Sequence, residues 1–346
     1  MTADLRLSSD EEPGYSRRRF GKGFAYYDAG GHKVENDTLK ARLDALAVPP
    51  AYRNVWYCRD EKGHIQATGY DDKGRKQYRY HDEYRLHAEA DKFEGLPKFG
   101  RALPRIRKQV ARDLRRRSLA RETVLAAVVR LMDTAHLRIG NDQYSRTNKS
   151  FGATTLRNRH VERLKTRLKV SFRAKHGVER EVTITEPALV RIIGEAHELP
   201  GQQLFQYVDE DGAVRRIGSA DVNAYLREIS GTDFTAKNFR TWGASRLAMA
   251  IIADHHRRRE PLTLKMLLEP VADALGNTPA VTRSSYIHPE LIEAVKANPD
   301  APLGTMRLTR RPRARLSRAE TQLLAFLEHR PGTGRRRLLK LLRGES

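Results

Sequence analysis

Two arginines, a lysine, an amide and a tyrosine, each set in a short pattern of its own, are the residues of this chain best suited to chemistry. Arg138 lies in LRIGNDQY and Lys175 in the polar turn of LKVSFRAKHGVEREVTI. Arg240 lies in KNFRTWGAS, and Asn277 and Tyr286 close the set in LGNTPAVTRSSY. Together they suit attack on a phosphodiester by a phenolate. In-line displacement places extra negative charge on the two non-bridging oxygens, and planar, permanently charged guanidinium forks answer that charge. A lysine among other cations has a lowered pKa and can protonate the leaving oxygen. A tyrosine nucleophile keeps the bond energy in a phosphotyrosine ester, so rejoining requires no ATP.

The competing way to cut a phosphodiester uses metal ions, which need clustered carboxylates or histidines. The best histidine pair, His255-His256, consists of adjacent residues that point apart on a helix. GKG at 21–23 lacks the spacing of a phosphate loop. No metal and no cofactor is therefore expected. Taken singly, each residue of the set has a plainer explanation. Arg138 could cap a helix, Lys175 could be solvated in a turn, Asn277 beside Thr278-Pro279 could shape a turn, and Tyr286 could pack. Their order and neighbourhoods carry the chemical interpretation.

Composition narrows the partner. Lys and Arg number 65 against 43 Asp and Glu, a formal charge of +22. Self-repulsion of that size disfavours a compact chain unless a polyanion offsets it, and nucleic acid is the obvious one. Nothing approaches the roughly 18 apolar residues of a membrane span, and the start, MTADLRLSSDEEPG, has no apolar signal region. The single cysteine, Cys58, excludes an internal disulfide framework, fits a reducing cytoplasm and reads as a small core residue.

The elements that must position the set fall into two regions with different periods. Residues 1–14 read as a loose polar tail. Residues 15–88 are dense in Gly, aromatics and short alternations and read as a β-rich domain. Strands are expected around turns at Gly30-Gly31, Lys62-Gly63 and Lys73-Gly74, with a short helix in NDTLKARLDALA stopped by Pro49-Pro50. From about Tyr84 the period changes to helical, and residues 89–305 read as a mainly helical catalytic domain. Residues 101–121 hold nine Lys/Arg and one Asp, a ratio that phosphates explain. RETVLAAVVRLMDTAHLRI stripes Val124, Val128, Leu131, Met132 and Ala135 and delivers Arg138 at its end. The alternation of Leu168, Val170, Phe172, Val182 and Ile184 predicts a hairpin with Lys175 near its tip and Gly177 free to take positive φ. Helices follow in EPALVRIIGEAH, in SADVNAYLREI with Ser219 as N-cap, and after Thr235. Residues 306–346 form a basic extension with twelve Lys/Arg and two Glu over 307–343. Its Ser317-x-x-Glu320 is a capping-box pattern, PGTG at 331–334 breaks the chain, and two short helices are expected. The fold class is α+β: a small β-rich N-terminal domain plus a larger, mainly helical catalytic domain with a small sheet.

LRIGNDQY, KNFRTWGAS and LGNTPAVTRSSY, in that order, resemble the catalytic motifs of type IB DNA topoisomerases, above all the small poxvirus-like enzymes also found in bacteria. GYDDKGRKQYRYH is similar to that family's G-x-D-x-x-G-R-x-Q-Y-x-Y-H run, preceded by PPAYRNVWYC as in bacterial members. PGQQLFQYVDEDG and SADVNAYLREISGTDFTAKNFRTW also resemble the bacterial pattern, and the resemblance spans roughly residues 15–300. It implies Tyr286 as the nucleophile that forms a 3′-phosphotyrosyl bond, Arg138 and Arg240 on the scissile phosphate, and Lys175 as donor to the 5′-oxygen. Asn277 stands where poxvirus enzymes carry histidine; an amide donates a hydrogen bond but cannot serve as a general acid. Lys237 and Tyr144 would contact DNA near the phosphate. Gln77, Tyr78 and Tyr80 match the strand that the family lays in the major groove, Gln77 as a plausible adenine reader.

The expected function is relaxation of supercoils of both signs by a monomer that clamps duplex DNA in the cytoplasm, at the nucleoid. A tyrosine recombinase uses nearly the same five groups but usually has His-x-x-Arg where this chain has Lys237-x-x-Arg240, and its N-terminal domain is typically helical. A non-catalytic basic DNA-binding protein would need no tyrosine at a fixed distance from Asn277. No general base for Tyr286 is evident; His288 is the nearest candidate.

Overall fold

The computed structural model describes residues 5–329 and 335–345. The chain divides after Lys92 into two compact units. In the first, β1 (Tyr15–Phe20), β2 (Gly23–Tyr27), β3 (Arg53–Tyr57), β4 (Ile65–Tyr70) and β5 (Lys76–Tyr80) form an antiparallel sheet in the order β2-β1-β3-β4-β5. Helix α1 (Asp37–Ala45) starts where Asn36 accepts the backbone N–H of Leu39, and α2 (Asp82–Glu94) follows β5. Tyr26, Val34, Leu43, Val48, Val55, Tyr57 and Ala67 make a small core, and Cys58 is wholly buried as a core residue.

Two expectations change here. The first hairpin turns at Gly21-Lys22, because Phe20 pairs with Gly23; the Gly30-Gly31 turn leads only to an isolated bridge from Tyr27 to Lys33. Both sites offer glycine, and β-pairing of Arg17–Arg19 with Phe24–Tyr26 decides between them. The N-terminal stretch is also not loose from residue 5 on. Arg6 pairs with Gly63, buried Ser8 donates to the Ile65 carbonyl, and Asp10 takes both Thr68 and Lys76. Polar residues there serve as hydrogen-bond partners for strand ends.

The second unit is built on α3 (Leu96–Asp113) and α4 (Arg121–Ala135). Helix α4 is buried on nearly every side, with Val124, Leu125, Val128, Val129, Leu131 and Met132 out of water. Each such side chain contributes about 1.5–3 kcal/mol on burial, so the helix that precedes Arg138 is a fixed post. Helix α3 is two-faced: Leu96, Phe99, Leu103, Ile106 and Val110 are buried and its cations lie on the other side. It runs from Leu96 to Asp113, so the basic stretch 101–121 is part helix and part loop.

Helix α5 (Asp142–Asn148) is followed by β6 (Val161–Leu164), β7 (Arg167–Arg173) and β8 (Glu179–Ile184), a three-stranded sheet in the order β6-β7-β8. The β7–β8 pair is the expected hairpin, Lys175 stands in its turn, and Gly177 takes φ +78°. Helix α6 (Pro187–His197) and a two-stranded ribbon, β9 (Gln206–Val208) with β10 (Val214–Arg216), lead to α7 (Ser219–Ser230). Gly218, not Ser219, caps α7, and its N–H donates to Asp221. Helices α8 (Ala236–Arg258), α9 (Leu264–Leu275), α10 (Pro279–Ser285) and α11 (Pro289–Ala297) follow.

Two more helices, α12 (Arg318–His329) and α13 (Arg335–Arg343), form the C-terminal extension; the expected break at PGTG lies outside the described residues. The Ser317–Glu320 capping box is present in both directions. Glu320 is 2% exposed and also takes Arg107 of α3 and the indole N–H of Trp242 of α8. Arg107, counted among the cations attributed to phosphates, is thus spent on Glu320 and Asp133.

Candidate active site

Four of the five functional side chains lie at or near the end of a helix, and Lys175 lies in the β7–β8 turn. Helix α4 stops at His136, a non-glycine residue in the left-handed region at φ +53°. The chain turns there, and Arg138 follows two residues on. Its segment is held from the far side: Ala153 N–H donates to the Arg138 carbonyl and Thr154 N–H to that of Ile139, at 2.8 and 2.7 Å. Arg240 stands one turn inside α8 and is 5% exposed. Helix α9 ends at Gly276, φ +61°, which releases Asn277. Tyr286 is the C-cap of α10, with its N–H on the Thr282 carbonyl.

Four of the five residues meet. Arg138 Nη2 donates to Asn277 Oδ1. The Arg240 guanidinium lies 5.0 Å from the centre of the Tyr286 ring. Arg240 is itself fixed by neutral acceptors, Nη1 on the His136 carbonyl and Nη2 on that of Leu275 at 2.9 Å. Ser245, on the same helix as Arg240 and fully buried, donates to the Tyr286 carbonyl at 3.3 Å and accepts the His288 N–H at 3.0 Å. The nucleophile candidate and its arginine therefore share one rigid frame. Lys175 is exposed in its turn and makes no hydrogen bond or ion pair with the other four among the described residues.

The electrostatics favour an anion. Among the described residues no carboxylate pairs with Arg138, Arg180 or Arg240. Burial, with repulsion from Arg138 and Arg180, pulls the Arg240 pKa down to about 10, so the group stays charged at neutral pH. Burial pushes the Tyr286 phenol up, but the charges of Arg240 and Arg138 and hydrogen bonding from them outweigh it, and its pKa is lowered. Burial and the neighbouring Arg246, Arg240 and Arg180 hold His136 down at about 4, hence neutral. Among the described residues nine buried side-chain polar atoms have no hydrogen-bond partner, and Arg240 Nε and Asn277 Nδ2 of this site are two of them. Such a donor has its explanation in strain, a bound water or a ligand.

The other sequence-derived positions make none of these contacts among the described residues. Tyr78 and Tyr80 are exposed and stacked, centroids 5.9 Å apart, and Tyr84 continues the stack at 5.3 Å. Gln77, on the opposite parity of β5, donates to Asp71 at 3.0 Å, so its amide is already engaged. Tyr144 is exposed on α5, and Lys237 is exposed in the first turn of α8. His288 is not placed to act as base. It is 3% exposed, its Nδ1 accepts the Glu290 N–H as the cap of α11, its ring lies edge-on to Phe93, and burial lowers its pKa to about 3. Sequence reasoning missed His136, Ser245 and Arg180. Their signals were weak: a histidine just before LRIG, a serine at the end of KNFRTWGAS, and an arginine in an apolar alternation.

The chain is thus a β-rich unit followed by a mainly helical unit, in which a tyrosine is set among guanidiniums that pair with no carboxylate among the described residues. The family model for the catalytic core of eukaryotic DNA topoisomerase I matches residues 81–301, and that for the N-terminal domain of bacterial DNA topoisomerase IB matches residues 23–71. The chain is similar to the DNA topoisomerase 1B of Acanthamoeba polyphaga mimivirus, 32% identical over 308 residues, 85% of this chain and 92% of that protein. It is also similar to the DNA topoisomerase 1B of vaccinia virus and the DNA topoisomerase I of monkeypox virus, 20% identical over 239 residues, 66% of this chain and 72% of each. The chain belongs to the type IB DNA topoisomerase family. It is an enzyme that acts on DNA, with an N-terminal domain of the bacterial kind. Among the described residues no helix is long and apolar enough to cross a membrane.

Proposed function

We propose that this chain relaxes positive and negative supercoils as a monomer closed around duplex DNA, with Tyr286 as the nucleophile. The observation that carries the proposal is the pair of unpartnered buried donors, Arg240 Nε and Asn277 Nδ2, beside a phenol made more acidic by two guanidiniums. A phosphoryl group in line with Tyr286 Oη would give both donors an acceptor. Tyr286 loses its proton to solvent and attacks phosphorus, the bond to the 5′-oxygen breaks, and Lys175 supplies the proton that oxygen takes. One strand is then held as a 3′-phosphotyrosine with a free 5′-hydroxyl. Rotation of the free end changes the linking number, and the reverse reaction restores the bond with no net consumption of ATP.

Arg138 and Arg240 would meet the charge that grows on the non-bridging oxygens. Such preorganised donors contribute roughly 3–4 kcal/mol each when measured by deletion. Asn277 would add one hydrogen bond and no proton transfer. Lys237 and Tyr144 would hold the DNA backbone near the cut, and Gln77, Tyr78 and Tyr80 would lie against a groove. The net charge of +22 supports residence on the nucleoid.

The test is relaxation of supercoiled plasmid with chelator present and no nucleotide, together with capture of a 3′-linked protein–DNA adduct on a denaturing gel. Relaxation and an adduct are expected, both abolished in Tyr286→Phe with DNA binding kept. A strict requirement for magnesium or ATP would overturn the proposal.

A further inference from the structure

Arg180 occupies a position where the sequence pattern calls for an apolar side chain. In β8 the side chains of 180, 182 and 184 share one face, and their neighbours Glu179, Glu181 and Thr183 are exposed. Val182 and Ile184 are apolar; Arg180 puts a guanidinium on the same face, opposite Phe172 of β7. Burial and the charge of Arg138 lower its pKa, so it sits there at a cost, and no carboxylate pairs with it among the described residues. Its acceptors are two backbone carbonyls in the last turn of α9: Nη1 on Asp273 at 3.1 Å and Nη2 on Ala274 at 2.9 Å. Carbonyls at a helix C-terminus have no partner within the helix and carry its negative end, so a cation there is favoured twice. The fit is close. A Cβ at Gly276 would come within 3.2 Å of Arg180 Cδ, where φ is also positive.

Both ends of this contact lead to functional side chains. Five residues before Arg180 on the same hairpin is Lys175. Three residues after Ala274 is Asn277, whose N–H donates to the Ala272 carbonyl and whose Oδ1 takes Arg138. We propose that Arg180 is a positioning residue that fastens the Lys175 hairpin to the end of α9, and so fixes the reach of Lys175 to the leaving 5′-oxygen relative to the phosphate held by Arg138 and Asn277. The inference rests on Lys175 as the proton donor.

The experiment measures single-turnover adduct formation on two DNA substrates, one with oxygen and one with sulfur as the bridging 5′ atom at the cut. A thiolate leaves without a proton, because a thiol is far more acidic than an alcohol. Loss of a general acid slows cleavage about 100-fold or more, and sulfur hides that loss. Arg180→Ala and Lys175→Ala are both expected to be slow on oxygen and near wild type on sulfur, with unchanged DNA affinity. Arg180→Lys, which keeps one donor for the carbonyls, recovers part of the oxygen rate. Asn277→Ala, acting on the phosphate, is slow on both. If Lys175→Ala is rescued by sulfur and Arg180→Ala is not, the positioning role of Arg180 fails alone. If Lys175→Ala is not rescued, the proton-donor assignment fails and this inference with it.

Discussion

Replacing Glu320 with Gln tests whether the C-terminal extension holds the helix that carries Arg240. Glu320 is almost fully buried between α3, α8 and α12, and accepts from Arg107 at 2.7 and 3.0 Å, from Trp242 at 3.0 Å and from the Ser317 N–H at 2.7 Å. Burial pushes its pKa up, but Arg107, the Ser317 N–H and Trp242 outweigh that and bring it from 4.5 to about 2. A shift of that size corresponds to about 3 kcal/mol of stability at neutral pH. Breaking a buried ion pair by removing one partner independently costs about 3–5 kcal/mol. Gln keeps the size and one acceptor, so about 3 kcal/mol is expected, or roughly 6–12 °C in Tm for a unit of this size. The pKa is lowered on folding, so the contribution is present above about 4.5 and is lost as pH falls toward about 2. The gap between wild type and Glu320→Gln is therefore full at pH 7, about halved near pH 3 and closed near pH 2. The assay is denaturant unfolding followed by Trp242 fluorescence in a Trp56→Phe background, since the chain has two tryptophans. A gap under about 1 kcal/mol at pH 7, or one that does not narrow in acid, would refute the reasoning.

Three further outcomes follow from the site and its supports. Tyr286 is made more acidic by Arg240 and Arg138 in spite of burial, so Arg138→Ala should move the rise of the cleavage rate with pH to higher pH; a pH–rate profile with an unmoved midpoint would count against the electrostatic account. Asn277→Asp preserves shape but offers Arg138 a carboxylate, which should neutralise the guanidinium and lower the single-turnover cleavage rate at least about 100-fold while Tm holds or rises; retained activity would show that the charge of Arg138 is dispensable. Arg337 of α13 meets the wholly buried Glu290 of α11 at 2.6 and 3.2 Å. Arg337→Ala should cost roughly 1–3 kcal/mol in chemical denaturation, less than a fully buried pair because the arginine is partly exposed, and Glu290→Gln should restore most of it; simple additivity of the two changes would argue that they do not interact.

Those acids mark where the sequence was hardest to read. Glu290 and Glu320 look like ordinary surface carboxylates on helices, and nothing local says that each is enclosed by another segment. Arg180 is hidden for the converse reason. Its charge interrupts the alternation Val182–Ile184, so the apolar pattern stops short of it, while the structure keeps it on that face and gives it two helix-end carbonyls to bond. Where local chemistry decides the outcome, the sequence was informative: the β7–β8 hairpin with its glycine turn, the Ser317–Glu320 cap and the apolar stripe of α4 all form. Short strands such as β6, β9 and β10 were not seen, since three or four residues carry too little period to stand out. The first hairpin shows the limit of turn signals. Two glycine sites competed within ten residues, and pairing across the sheet, which is not local, settled the matter.

The supports of the site share one chemical property. His136, Leu275, Asp273 and Ala274 contribute backbone carbonyls, and Asn277 contributes an amide oxygen. These acceptors orient Arg138, Arg180 and Arg240 without cancelling their charge. Carboxylates would hold guanidiniums more tightly, and the chain has 43 acidic residues to use. It places them elsewhere, as with Asp133 and Glu320 around Arg107, where a neutralised cation ties helices together. The division matters because a phosphoryl oxygen must compete with whatever already holds the arginine. Against a carbonyl it wins by its full charge; against a carboxylate it would gain little. The depressed pKa of Arg240 and the partnerless Nε are two expressions of the same arrangement: a cation oriented by dipoles, with no counter-ion among the described residues.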